Sequence, residues 1–127
     1  MDELYERSDF ISVHAPLLPS TIGLVNADAF KKMKKTAVIV NTARGPLINE
    51  KDLIKALDNN EIGGAGLDVV EIEPLPANSP LIGRDNVILA PHTAFYSVEA
   101  LEELQTKAAA DVANILSGKP AVYPITG

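Results

Sequence analysis

Four residues in this sequence of 127 stand where chemistry could be done: Arg44, Asp68, Glu73 and His92. Arg44 lies in the run Asn41-Thr42-Ala43-Arg44-Gly45-Pro46, directly after an apolar stretch. Asp68 closes a second apolar stretch, Glu73 stands before Pro74, and His92 comes after Pro91 at the end of a third. A histidine and a glutamate can form a proton-handling pair, in which the carboxylate fixes the imidazole tautomer and favours its charged form. An arginine offers a planar, permanently charged fork that matches a carboxylate. Together with an aspartate, these groups suit proton delivery to, or removal from, a small carboxylate substrate. Taken singly, each has an ordinary reading as well. Arg44-Gly45-Pro46 could be a turn bearing a solvated cation, Asp68 a loop cap, Glu73 a polar loop residue, and His92 a partner for a backbone carbonyl. His14, the other histidine, reads as structural more readily than catalytic. A carboxylate after an apolar run is costly to bury unpaired, so Asp68 needs partners or water. No G-x-S-x-G elbow supports a hydrolase. Two histidines are thin ligation, and no metal is expected.

The elements that must hold these groups alternate in period. Short Val- and Ile-rich runs at Phe10–Val13, Ala37–Val40, Gly66–Val70 and Val87–Leu89 read as strands buried on both faces. Asn26 is a helix cap, with Val25 and Phe30 as a hydrophobic staple, and that helix closes in Lys31, Lys32, Lys34 and Lys35. Asn49 repeats the device with Ile48 and Leu53, placing Ile54 and Leu57 on an inner face before Asp58-Asn59-Asn60. A longer helix starts at Ser97, with Tyr96 and Leu101 as its staple. It carries Leu101, Leu104, Ala108, Val112 and Ile115 at helical spacing and stops at Ser117-Gly118-Lys119-Pro120. Residues 2–7 read as the last turns of a helix, and Glu71–Arg84 as a long loop. Strand–helix–strand alternation predicts an α/β fold: a parallel sheet of about four strands in sequential order, with flanking helices. Ligands of such sheets bind beyond the carboxyl ends of the strands, the rim on which His14, Arg44, Asp68 and His92 all fall.

Composition narrows the classes further. The chain is 46% hydrophobic, which excludes global disorder, and the absence of cysteine excludes disulfides, thiolate metal sites and a cysteine nucleophile. Eleven basic against seventeen acidic residues leave −6, a poor charge for direct nucleic-acid binding. No apolar run approaches the ~20 residues that span a bilayer. A soluble, cytoplasmic protein without a membrane partner is the expectation.

Four ordered segments carry a resemblance. Asp9-Phe-Ile-Ser-Val-His-Ala-Pro-Leu17, Val40-Asn-Thr-Ala-Arg-Gly-Pro-Leu-Ile-Asn-Glu50, Gly64-Ala-Gly-Leu-Asp-Val-Val-Glu-Ile-Glu-Pro-Leu75 and Asn86-Val-Ile-Leu-Ala-Pro-His92 resemble the successive signatures of the D-isomer-specific 2-hydroxyacid dehydrogenases. The resemblance implies hydride transfer between NAD and a 2-hydroxy or 2-oxo acid. By it, Arg44 binds the substrate carboxylate and carbonyl, Glu73 rather than Glu71 is the family glutamate, and His92 is the general acid/base. Asp68 matches the aspartate near the nicotinamide. His14, Ala15, Pro16, Thr21, Thr42 and Ala43, with Arg44 and His92, line the cofactor. Val70 and Ile72 replace a common Phe and a second Glu, and Thr93-Ala-Phe-Tyr-Ser97 replaces the commoner Ile-Gly-Gly. That last segment is similar to the C-terminal-binding-protein branch, which keeps a non-catalytic NAD-sensing or corepressor-like module open as an alternative. No G-x-G-x-x-G occurs in the sequence. Residues 1–127 are therefore expected to be a partial, C-terminal half of a Rossmann-type NAD-binding domain, without the glycine-turn half or a substrate domain. Alone it is expected to be inactive. The strand Phe10–Val13 would present an unpaired edge, and a homodimer is expected.

Overall fold

The computed structural model describes residues 1–124 and divides into two compact units, Met1–Ala94 and the segment beginning at Phe95. In the first unit, α1 (Asp2–Arg7) precedes β1 (Phe10–Val13), α2 (Ala27–Lys32), β2 (Val38–Asn41), a 3-10 turn at Gly45–Leu47, α3 (Glu50–Asp58), β3 (Gly64–Leu67) and β4 (Val87–Leu89). The four strands form one parallel sheet in the order β1-β2-β3-β4, as the alternating pattern predicts.

The helices start where the sequence places their caps. Asn26 Oδ1 accepts from the N–H groups of Asp28 and Ala29 at 3.0 and 3.2 Å, and Asn49 Oδ1 from that of Asp52 at 3.1 Å. Both staples are buried: Val25 and Phe30, Ile48 and Leu53. The helix starts are also tied together, through an isolated parallel bridge between Val25 and Ile48 and through Asp52 Oδ2, which accepts from Ala27 N–H at 3.1 Å. The α2 helix is shorter than the lysine run suggests. It ends at Lys32, and Met33 turns into the core with extended backbone. Lys34 therefore lies beyond the helix and pairs with Asp9 at 2.9 Å, so it answers a charge beside β1 rather than the helix dipole.

Two strands shift from their expected limits. β2 runs one residue later, because Asn41 still pairs with Val13 and Leu67. β3 runs from Gly64 to Leu67 instead of reaching Val70, because Val70 N–H leaves the ladder for the Glu73 side chain. Burial on both faces holds for the inner strands β2 and β3, which are buried or half-buried throughout, but not for β1 and β4. β1 alternates exposed and buried, and Ile11, Val13, Ile39, Ala65 and Leu67 join Tyr5, Phe30, Leu53 and Leu57 in one core. The opposite face holds Phe10 and Ile88, 77% and 76% exposed. The 71–84 connection has no helix, as expected. It is anchored by fully buried Leu81 and by Arg84, which pairs with Asp58 at 2.7 Å.

In the second unit, α4 (Val98–Leu116) is capped by Ser97, whose Oγ accepts from Ala100 N–H at 3.0 Å. Gly118, at φ 73°, stops it in the left-handed conformation, with Lys119 N–H returning to Asn114 O at 2.8 Å. The helix forms as its spacing predicts, but its stripe is not buried: Leu104, Val112 and Ile115 are all exposed. Tyr96 is exposed, and its ring lies 4.5 Å from that of Phe95. Asp111 accepts from Val122 and Tyr123 N–H at 2.7 and 3.0 Å, folding the segment beyond the helix back along it.

The outer edge of β1, with exposed Phe10, is a template for strand pairing. Light scattering of the 127-residue chain is expected to show concentration-dependent association, and Phe10→Lys to reduce it; a wild-type chain that stays monomeric at high concentration would contradict this.

Candidate active site

The site grows from two polar side chains buried at the carboxyl ends of β2 and β3. Asn41 is 1% exposed and Asp68 7%. Buried groups of this kind must be hydrogen-bonded or they destabilise the fold by several kcal/mol, about 1–3 by mutational measures. Among the described residues no buried side-chain nitrogen or oxygen lacks a partner. Asp68 N–H continues the ladder by donating to Asn41 O at 3.0 Å. The Asp68 carboxylate then accepts from the backbone N–H groups of Thr93 and Ala94 at 2.7 and 3.0 Å, while Asp68 O accepts from His92 N–H at 2.9 Å. These are the partners that its sequence position requires.

Three hydrogen bonds to one residue thus shape the turn that carries His92. The turn is unusual: His92 adopts φ 56°, the left-handed region that is uncommon outside glycine. In such a turn successive N–H groups can point to one side, forming a concave anion cradle. Here the Asp68 carboxylate fills it. The imidazole Nδ1 lies 2.7 Å from Glu73 Oε2. An ionised carboxylate only accepts, so Nδ1 carries the hydrogen and the tautomer is set with Nε2 as the second functional nitrogen. Glu73 is held in turn, because its Oε1 accepts from Val70 N–H at 3.2 Å. The bond to His92 is the leading cause that lowers the Glu73 carboxyl below its ordinary value, with the Val70 N–H adding to it against some desolvation.

Glu71 has a different task. Its Oε1 accepts from Glu50 N–H at 2.8 Å, and Glu50 Oε2 accepts from Glu71 N–H at 3.2 Å. This reciprocal pair ties the start of α3 to the segment after β3 and leaves Glu73 as the carboxylate facing the imidazole. Asp68, Glu73 and His92 border a cleft of about 520 Å³ with otherwise apolar walls that include Val70, Leu75 and Leu89.

Arg44 stands on the same rim after β2. It is exposed, its Nη1 donates to Ala43 O at 2.7 Å, and its backbone is extended. Directly behind it, Gly45 packs against the chain after β3. A Cβ there would lie 1.9 Å from Val70 O, a distance no side chain tolerates. His14 is exposed and its Nε2 lies 2.8 Å from Ser12 Oγ. Thr21 closes the loop after β1, with Oγ1 donating to Pro16 O at 2.6 Å and accepting from Leu18 N–H at 2.8 Å. Thr42 is exposed, whereas Ala15 and Ala43 are half-buried against the core. Asn41, in the same run as Arg44, is a site residue that its motif alone does not single out. Its signal is the one that marks Asp68, a polar side chain closing an apolar strand.

The open sheet face also offers room for a planar ring. A trough of about 210 Å³ runs over Val40, Gly66 and Ile88 towards Thr42 and Thr93. A Cβ at Gly66 would occupy that space, meeting Val40 Cγ2 at 3.7 Å. A dinucleotide lying along the rim would bring its nicotinamide end to Thr42 and Thr93. The G-x-G-x-x-G motif that would turn about its pyrophosphate does not occur in the sequence. Among the described residues no group of three or more His, Cys, Asp or Glu could hold a metal ion, and no helix is long and apolar enough to cross a membrane.

Two outcomes are expected. Gly45→Ala should lower stability by roughly 1–3 kcal/mol or more, since Val70 must move; a denaturant midpoint equal to wild type would contradict the packing described. Carbon-13 NMR of the Glu73 carboxyl should show a midpoint below the usual glutamate value, returning upward in His92→Ala. A carboxyl whose folded pKa is lowered adds stability above its unfolded value, and that stability is lost as the pH falls through the lowered value. The stability gap between wild type and His92→Ala should accordingly narrow over that acid window.

Comparison with known proteins bears on the family and the fold. The profile of the D-isomer specific 2-hydroxyacid dehydrogenase NAD binding domain matches residues 1–94. A glyoxylate reductase of Thermofilum pendens is 47% identical over 119 residues, covering 94% of this chain and 35% of the relative. The human glyoxylate reductase/hydroxypyruvate reductase is 42% identical over 118 residues, 93% of this chain and 36% of its own length. The crystal structure of D-lactate dehydrogenase with NAD+ from Lactobacillus jensenii superposes with a TM-score of 0.89 at 30% identity, covering 99% of this chain and 42% of that one. The chain thus spans little more than a third of the curated relatives it matches. With a match over most of its length and the same fold in its solved relatives, the chain belongs to the D-isomer specific 2-hydroxyacid dehydrogenase family, within its NAD-binding domain.

Proposed function

We propose that the protein interconverts a small D-2-hydroxy acid and its 2-oxo acid. The observation that carries this reading is the 2.7 Å bond between His92 Nδ1 and Glu73 Oε2 on the rim that also bears Arg44. The Arg44 guanidinium receives the substrate carboxylate and orients the adjacent carbonyl. The His92 imidazole, its tautomer set by Glu73, delivers a proton from Nε2 to the carbonyl oxygen during reduction and takes it back during oxidation. The rim residues would hold NAD, whose reduced form would supply the hydride that completes the reduction. His14, Ala15, Pro16, Thr21, Thr42 and Ala43, with Arg44, Asp68 and His92, line the cofactor in this reading. Asp68 contributes by holding the 92–94 turn, since both its oxygens are occupied by backbone N–H groups. A cytoplasmic homodimer without nucleic-acid or membrane partners completes the proposal, supported by the net charge of −6.

The segment Thr93–Ser97 favours one further reading, a corepressor-like or NAD-sensing module without turnover. Activity separates the two. The complete gene product, given NADH and pyruvate, glyoxylate or hydroxypyruvate, should oxidise NADH. His92→Ala should lose about 100-fold or more in kcat while retaining NADH binding. No oxidation above background with any acid would favour the non-catalytic module.

A further inference from the structure

We propose that Asn41 is a positioning residue for Arg44, and that affinity for the substrate carboxylate depends on its carboxamide. The inference rests on Arg44 being the carboxylate-binding group. Asn41 ends β2 and is 1% exposed, so its side chain is committed to the protein interior. Its two polar atoms both turn to the segment that carries the arginine. Oδ1 accepts from Ala43 N–H at 3.0 Å, and Nδ2 donates to Arg44 O at 2.9 Å. Arg44 O also accepts from Leu47 N–H at 3.2 Å, which opens the 3-10 turn. Gly45 then lies against Val70 with no space for a side chain. The backbone of Arg44 is therefore held before, at and after its own α-carbon, while its guanidinium remains exposed. A flexible four-bond side chain delivers a fork accurately only from a fixed base.

The chemistry selects a carboxamide at this position. The group must accept from one backbone N–H and donate to a carbonyl one residue further on, which neither a carboxylate nor an aliphatic side chain does. Aspartate would keep the Ala43 bond but set a charged oxygen against Arg44 O. Towards the proton-transfer side, Asp68 N–H donates to the Asn41 carbonyl oxygen at 3.0 Å. Its side chain acts on Arg44 without touching the His92–Glu73 pair.

The test compares Asn41→Asp with wild type in the complete protein, in both native and Arg44→Ala backgrounds. The probe is oxamate, an unreactive isostere of a 2-oxo acid, titrated in the presence of NADH and tracked by the Arg44 Nε–H resonance and by calorimetry. In the native background, Asn41→Asp is expected to weaken oxamate binding about tenfold and to raise KM for the 2-oxo acid more than it lowers kcat. The pH dependence of turnover should keep its wild-type midpoints. In the Arg44→Ala background the same substitution should have no further effect on oxamate affinity. An equal loss in both backgrounds, or unchanged oxamate affinity in a folded Asn41→Asp protein, overturns the proposal. An Arg44 resonance that ignores oxamate in wild type removes the functional reading of Arg44, and the proposal with it. Should Asn41→Asp fail to fold, Asn41→Ser supports the same comparison.

Discussion

Burying polar side chains at the carboxyl end of a parallel sheet constrains everything around them. An amide and a carboxylate that leave water there must recover their hydrogen bonds from the chain, and the penalty for failing exceeds the net gain of about 1 kcal/mol from any one bond. Asn41 ends β2, Asp68 directly follows β3, and both draw their partners from the loops beyond. The loop after β2 is bent to satisfy Asn41 and so presents Arg44. The turn after β4 is bent to satisfy Asp68 and so presents His92. Satisfying the interior and shaping the rim are one event.

The histidine–glutamate pair on that rim gains little for stability. Both side chains are more than a third exposed, and exposed ion pairs contribute about 0–1 kcal/mol. Its worth lies in orientation, because a carboxylate on Nδ1 leaves Nε2 as the nitrogen that can exchange a proton with a ligand. Glu71 shows how strongly local geometry sorts similar residues. Two positions before Glu73, it is absorbed in a reciprocal bond with Glu50 that fastens a helix start to the loop. That fastening, with Gly45 pressed against Val70, gives the site a rigid floor.

Helices α1, α2 and α3 and the strand faces of Ile11, Ile39 and Leu67 make one core, while Phe10 and Ile88 look outward from the other side of the sheet. The exposed trough over Gly66 lies on this second side, next to the residues of the rim. In sheets of this kind a dinucleotide binds in the crevice beyond the carboxyl ends of the strands, where the rim residues stand.

Much of this architecture was legible in the residues themselves. Alternating periods revealed the order of elements; Asn26, Asn49 and Ser97 marked helix starts because a side-chain oxygen beside an apolar turn has one favourable use. The rim residues, too, could be read from the few positions just past each strand. Distances between loops could not. Whether Glu71 or Glu73 meets His92 depends on how a fourteen-residue connection returns to the sheet, and spacing alone carries no such information; the resemblance chose Glu73, and the folded chain joins it to the imidazole. The early end of β3 and the short α2 follow from the same limit. Local sequence dictates what each segment tends to form, since backbone sterics and caps act over a few residues. Which face is covered, and which buried amide holds which loop, is settled by contacts between segments far apart in the chain, and these exist only once it has folded.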